Sequence, residues 1–519
     1  MNDQPRMSKM RRYHAAVWDE PVIMEMGSKG RRGLVFREAE KKVADAVGPA
    51  ELLIPQGMQR EDPPNLPELS EQEVQRHYLH LSQETLGMMG ISLFGTCTMK
   101  YNPRINEIIA ARPEIAETHP LQDVQTLQGT LELIHNFDLI LRELSGMDNF
   151  VFQAGGGAHA AYTHCCVTRA YHAERGELAQ RNEIITSIQA HPCNPATAAA
   201  AGFDVITLPL EENGYPSTDA LREAVSSRTA ALLINNPDDM GIYNPEITDW
   251  VDIVHDAGGL CFYDHANFNG VMGKIRAREL GFDACMYMLH KTFGAPKGGG
   301  GPAVGAYGCS KDLAPFLPCP VVINTDGVYE LDYHRPKSIG RIREFWGNVP
   351  QVIKSYSWAR AMGSAGIEEA AEISVLSNNY MESRLLKIPG ITKSHPTIGG
   401  PRMEMTRYSI EKITEDTGIT IEDFSNRMVD FGIDAPWLAH HPWLVPEPFT
   451  PEAGEMYSKE DLDYWIDVVA EVAREAYEDP EIIKNAPHRQ AISQINDNSL
   501  NDPERWAMTW RAYCRKHVS

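Results

Sequence analysis

The sequence predicts an α/β protein whose larger part is built on a mostly parallel β-sheet. Three observations carry this. Short apolar runs recur between residues 147 and 305: "NFVFQA", "NEIITSIQA", "DVITLPL", "TAALLINN", "GLCFYDHA" and "ACMYML". Helical patterns lie between most of them, among them "HAAYTHCCVTRAYHAERG" and "TDWVDIVHDAGG". The runs are short and continuously apolar, as strands buried on both faces require. Strands alternating with helices form βαβ units, and such sheets bind ligands beyond the carboxyl ends of their strands.

The elements follow in order. Residues 1–65 are irregular and rich in charge, Gly and Pro, and the prolines at 63 and 64 mark a break. This N-terminal arm reads either as a segment that wraps a partner or another domain, or as a loosely ordered terminus. A large domain spans 66–345 and opens on "SEQEVQRHYLHLSQET", a helix with Ser70 and Glu73 in capping-box register. A smaller α+β domain is expected over 346–480. It contains a long helix across 351–388, a strand "PRMEMTRYSI" and a helix "IEDFSNRMVDFGI". Residues 481–519 form a C-terminal tail.

Composition narrows the partners. The 519 residues carry 48 basic and 71 acidic side chains, a net charge of −23. That balance disfavours nucleic acid and anionic membranes. No stretch approaches the ~20 apolar residues of a bilayer span, and the first thirty residues lack the apolar segment of a secretory signal. Nine scattered cysteines without a C-x-x-C pair fit a reducing cytoplasm. No H-E-x-x-H or Cys–His cluster suggests a metal. His77 and His80 share a helix face and His440 and His441 are adjacent, and all four read as structural or surface residues. No G-x-G-x-x-G follows the first strand, so a nicotinamide site is unsupported.

Three stretches carry chemistry. In "FQAGGGAHAAYT" a strand runs into Gly155, Gly156 and Gly157 and then a helix. Backbone N–H groups at such a helix start favour a phosphate, and His159, early in that helix, is placed to stack on a flat cofactor. In "CFYDHANFN", Asp264 ends an apolar strand, where a buried acid needs a cationic partner such as a protonated ring nitrogen. In "MLHKTFGAPKGGGGP", Lys291 follows an apolar run between His290 and Thr292, ahead of four glycines. Glycine turn, strand-end acid and lysine, in that order, form the layout of a pyridoxal 5'-phosphate enzyme of the aspartate-aminotransferase type (fold type I). There the lysine forms the Schiff base, the acid holds the pyridinium proton and the ring is the electron sink.

Several segments are similar to one family in the same order: "GTCTMKYNPRINE", "HPLQDVQTLQGTLELI", "NPATAAAAGFDV", "YDHANFNGVMGK", "YHRPKSIGRIREFWGN" and "IIKNAPH". The chain resembles the glycine decarboxylase (P-protein) family of the glycine cleavage system, in particular the second subunit of its two-subunit bacterial form. The resemblance covers nearly the whole chain, and the length fits that subunit. It implies PLP-dependent decarboxylation of glycine, with transfer of the aminomethyl group to the lipoyl arm of H-protein. It also implies a separate first subunit and an α2β2 assembly. By this resemblance Lys291 is the Schiff-base lysine, Asp264 pairs with the pyridine nitrogen, Ala266 lies below the ring and His159 above it. Gly155 to Gly157 and Thr292 lie near the phosphate. Cys97, His191, Asn194 and Lys297 are substrate-pocket candidates.

The chain also departs from the family. Lys297 and His265 stand where the family carries histidine and glycine, Pro192–Cys193 replaces Gly–Thr, and "NNPDDMG" replaces "TNPNTLG". These changes are expected to crowd the pocket while sparing Lys291 and Asp264. A cation at Lys297 would suit a second carboxylate or a phosphate. Two other readings therefore stand beside the first: a diverged PLP enzyme for another amino acid, and a non-catalytic assembly subunit.

Overall fold

The computed structural model describes residues 9–33, 37–62, 64–85, 91–94, 100–296, 303–494 and 502–517. The chain divides into two compact units. One comprises Ile91–Met428 and Asp434–Lys484; the other comprises Arg11–Gly90, Val429–Ile433 and Asn485–Ser519.

In the first unit the main sheet contains β1 Asn149–Ala154, β2 Glu183–Ser187, β3 Asp204–Leu208, β4 Thr229–Asn235, β5 Leu260–His265, β6 Ala284–Met288 and β7 Gly305–Cys309. Their spatial order is β1-β7-β6-β5-β4-β2-β3. The pairs from β3 across to β6 are parallel, and β7 runs against both β6 and β1. Every residue of β4, β5, β6 and β7 is buried, because helices cover both faces. On one face, helices 128–145 and 247–256 bring Phe137, Leu141, Trp250 and Val254 into a core with Tyr263 and Tyr287. On the other, helices 157–174 and 193–200 bring Ala160, Cys165 and Ala198 into a core with Phe262 and Met286. Side chains alternate along a strand, so Asp264 shares the second face with Phe262, and His265 shares the first with Tyr263.

Six strands coincide with the six apolar runs. β7 is the addition. Its sequence, GAYGC, reads as a loop, yet its glycines are required by close approach. A Cβ at Gly308 would overlap the Phe150 ring, and one at Gly305 would overlap the Gly156 carbonyl oxygen. Gly305→Ala is expected to lower stability by about 1–3 kcal/mol, the usual cost of overpacking. Gly129→Ala, at an open helical position, should be neutral or slightly stabilising. Urea unfolding of the two variants checks this.

A hairpin, β8 Val321–Thr325 and β9 Val328–Asp332, turns at Asp326 and Gly327, whose φ values are 52° and 86°. The Asp-Gly pair suits such a turn. Helix 349–385 occupies the expected long-helix region and breaks at Gly363 (φ 64°). It packs beside helix 459–478 and is tied to a small sheet of β10 Thr392–Lys393, β11 Tyr408–Ser409 and β12 Pro448–Phe449 by Lys393 Nζ, which donates to Glu382 at 2.6 Å.

The strand expected over 401–410 shrinks to β11. Its earlier residues are bonded elsewhere. Asn378 and Asn379 donate through Nδ2 to the carbonyls of Met403 and Arg402, each at 2.8 Å, and the Met403 N–H donates to Gly241 O at 2.9 Å. That crossing delivers Arg407 to the region described below.

In the second unit, helix 71–83 carries the expected capping box. Glu73 N–H donates to Ser70 Oγ at 3.4 Å and Ser70 N–H to Glu73 Oε2 at 2.8 Å. The Glu20 carboxylate bridges His77 and His80, and Trp18 stacks on His80 at 4.0 Å. Among the described residues no helix is long and apolar enough to cross a membrane.

Candidate active site

The candidate residues gather at the carboxyl ends of β1, β5 and β6. Lys291 follows β6 in a closed turn. Its N–H donates to Met288 O at 3.1 Å, Gly294 N–H to Lys291 O at 3.3 Å, and Ala295 N–H to Leu289 O at 3.1 Å. Lys291 and Thr292 are both buried. At Gly294 (φ 69°) a Cβ would stand 2.8 Å from Trp358 Cδ1, so the indole of the long helix seals the turn. His290 is mostly buried; burial first, then the Lys291 charge, pushes it down to about 4.

Asp264 is 1% exposed on β5. Its Oδ1 accepts the Ala266 N–H at 2.9 Å, while Oδ2 has no hydrogen-bond partner. Burial pushes the carboxyl up to about 6; the Ala266 N–H, the Lys291 charge and the nearby Asn194 side chain oppose the shift, and Asp239 adds to it. Fully buried Asn194 thus faces the carboxyl without closing a hydrogen bond to it, its Nδ2 having no partner at bonding distance. A buried orphan acceptor beside a buried lysine matches a cationic ring nitrogen, so the residues fit pyridoxal phosphate.

The glycine turn lies at the end of β1. Gly155 N–H donates to His159 Nδ1 at 3.1 Å. The helix starts at Gly157, and Gly156, its N-cap, supplies no side-chain cap, so the first-turn N–H groups remain for an anion. A Cβ at Gly157 would overlap Met288 Cε, which presses this helix start onto the end of β6. Arg343 Nη1 lies 3.0 Å from where a Gly155 Cβ would be, putting a cation beside the turn. Burial, then Arg343, lowers the His159 pKa.

His191 and Asn194 flank the start of helix 193–200 and join the same pocket. Burial first, partly opposed by Asp239 and reinforced by Lys291, pushes His191 down to about 4. Cys97 and Lys297 lie outside the described residues, as do the four glycines after Lys297.

One expectation is corrected, and one residue gains a neighbour. His440, read as structural or surface, meets the His191 ring edge-on at 4.5 Å. His265 does not crowd the pocket. It points through the opposite face, stacked on Tyr263 at 3.9 Å and Tyr287 at 5.2 Å. Neither of its ring nitrogens has a partner, and burial pushes it down to about 3. Below pH ~6.5 the unfolded chain therefore takes up a proton that the folded chain refuses. His265→Phe is expected to relieve this, narrowing the loss of stability between pH 7 and pH 5 by about 2 kcal/mol. Denaturant melts at the two pH values check it.

Three positions beside these residues were missed. Arg343 was hidden in a loop motif. Asp239 and Arg407 come from segments far apart in sequence, with the Arg407 Nη2 donating to Asp239 O at 3.0 Å. The "DD" replacement in "NNPDDMG" was the one available signal for Asp239.

This sheet order, with a glycine-led helix, a strand-end acid and a lysine after the next strand, is the fold type I architecture. The "Aminotransferase class-V" family profile matches residues 147–422, and "Glycine dehydrogenase, C-terminal domain" matches 370–491. The chain is 41% identical over 504 residues to a probable glycine dehydrogenase (decarboxylating) subunit 2 of Thermococcus onnurineus, covering 96% of this chain and 98% of that one. It is 40% identical over 479 residues to the protein of the same name in Staphylococcus saprophyticus, covering 92% and 95%. A crystal structure of glycine decarboxylase (P-protein) in inhibitor-bound form superposes with a TM-score of 0.70 at 20% identity, covering 85% of this chain and 100% of that one. The chain belongs to the glycine dehydrogenase (decarboxylating) subunit 2 family.

Proposed function

We propose that this chain is the cofactor-bearing subunit of a glycine decarboxylase. It removes the carboxylate of glycine and passes the aminomethyl group to the lipoyl disulfide of an H-protein, with a first subunit as partner in an α2β2 assembly in the cytoplasm. One observation carries the reading: the buried Asp264 carboxyl, whose Oδ2 closes no hydrogen bond, feels the charge of buried Lys291 in the same pocket. The naming of the relatives as a second subunit supports the partner.

Pyridoxal phosphate, when bound, supplies an electron sink for the pair left by departing CO₂. Lys291 Nζ would hold its aldehyde, and Asp264 would accept its ring N–H at Oδ2, with Oδ1 fixed by Ala266 N–H. His159 and Ala266 would lie against its ring. The N–H groups of Gly156 and Gly157, the Thr292 hydroxyl and the Arg343 guanidinium would hold its phosphate. His191 and Asn194 line the substrate side, and the burial around them keeps water from protonating the substrate carbon.

The test is the absorbance spectrum of the cofactor-loaded chain across a panel of amino acids. A visible band that shifts with glycine supports the reading. A band that ignores glycine and shifts with another amino acid replaces it with the diverged-substrate reading, and no band after added cofactor leaves the assembly-subunit reading.

A further inference from the structure

Asp239 and His440 face the same pocket and have no part in the scheme above. Asp239 is 4% exposed in the loop after β4. Its Oδ1 accepts from Asn267 Nδ2 at 2.9 Å and Asn235 Nδ2 at 3.4 Å, which fixes the carboxylate. Its Oδ2 lies 3.7 Å from His440 Nε2, on a side chain that keeps 28% exposure. The imidazole is wedged edge-on between His191 at 4.5 Å and Trp437 at 5.1 Å. The titratable and charged groups around it come from separate loops: Asp239 after β4, His191 after β2, Lys291 after β6, and Arg407 before β11. The Lys291 charge lowers the pKa of both histidines, whose rings are in contact. His191 is the less suitable proton carrier, because its Nδ1 already accepts the Cys193 N–H at 3.0 Å.

The proposed reaction, on which this inference rests, needs such a carrier. The substrate amine arrives as an ammonium and must lose one proton before its nitrogen can bond to carbon. Later the C–COO⁻ bond breaks, and its electron pair forms the C–S bond to one sulfur of the acceptor disulfide. The S–S bond breaks, the disulfide is reduced by those two electrons, and the second sulfur leaves as a thiolate that needs one proton. One proton taken early and returned late balances the cycle.

We propose that His440 is the acid–base group that carries this proton, taking it from the substrate ammonium at Nδ1 and returning it to the leaving sulfur. Asp239 acts through His440 and is a positioning residue: it faces Nε2 and holds the ring in the tautomer that leaves Nδ1 free to accept. At 3.7 Å the Nε2–Oδ2 contact is within ion-pair range and short of a hydrogen bond; catalytic hydrogen bonds tighten when substrate binds.

The test uses the cofactor-loaded chain assembled with its first subunit and lipoylated H-protein. The pH profile of kcat for glycine decarboxylation is compared for wild type, His440→Gln, His440→Asn and Asp239→Asn. Both His440 variants should lose about 10²–10³-fold in kcat at neutral pH, together with the histidine limb of the profile. Asp239→Asn should keep that limb, moved to lower pH. Histidine-labelled NMR of the loaded chain supplies a readout without turnover: the resonance missing in His440→Gln identifies His440, and its midpoint should fall in Asp239→Asn. A His440→Gln enzyme that keeps the limb and a rate within a few-fold of wild type overturns the proposal. If the wild type never turns over glycine, the functional reading fails instead, and an unchanged NMR midpoint in Asp239→Asn then overturns the pairing on its own.

Discussion

Lys291→Ala is expected to abolish the visible cofactor band and all measurable glycine decarboxylation while leaving the fold intact. The Schiff-base band, distinct from that of the free aldehyde, requires a covalent link to an amine, and Lys291 is a buried amine of this pocket. The turn around it is held by backbone bonds at Met288, Leu289 and the lysine's own carbonyl, none of which uses the side chain. Circular dichroism should therefore overlay on wild type. A variant that retains the band after dialysis would move the covalent role to another residue.

Asp264→Asn should cut decarboxylation on the order of 10²–10³-fold, the scale of losing one preorganised electrostatic partner. It should also do the reverse to the cofactor-free chain. Burial raises the Asp264 pKa to about 6, so the folded state holds a proton that the unfolded state loses above pH ~4. The stability that proton brings is present at low pH and lost as pH rises through about 6, amounting to about 3 kcal/mol at neutral pH. The isosteric amide escapes that loss. Cofactor-free Asp264→Asn should thus melt higher than cofactor-free wild type at pH 7.5, and gain less on adding pyridoxal phosphate. Equal melting and equal cofactor gain would mean that Asp264 does not pair with the ring.

Those two side chains were legible because each ends or follows an apolar strand, where an ionisable group is out of place without a chemical reason. The strands were legible for the same cause: β4, β5 and β6 are apolar on both faces because they are buried on both. β7 was not, because close approach of Phe150 and Gly156 forces glycine where a strand signal would need a side chain. His265 was readable in principle. It follows Asp264 on a strand, so the two must face opposite sides, and the substitution repacks an aromatic cluster rather than the pocket. Asp239, His440 and Arg407 were not readable as a group. Their meeting depends on loops that approach one another only when the sheet and the 401–407 segment are in place.

The central claim is glycine decarboxylation with a disulfide acceptor. Its most direct test is release of labelled CO₂ from carboxyl-labelled glycine by the cofactor-loaded chain, with its first subunit and lipoylated H-protein. The account predicts release that requires all three proteins and stops when the lipoyl group is absent. No release from glycine under those conditions, with release from another amino acid, would contradict it.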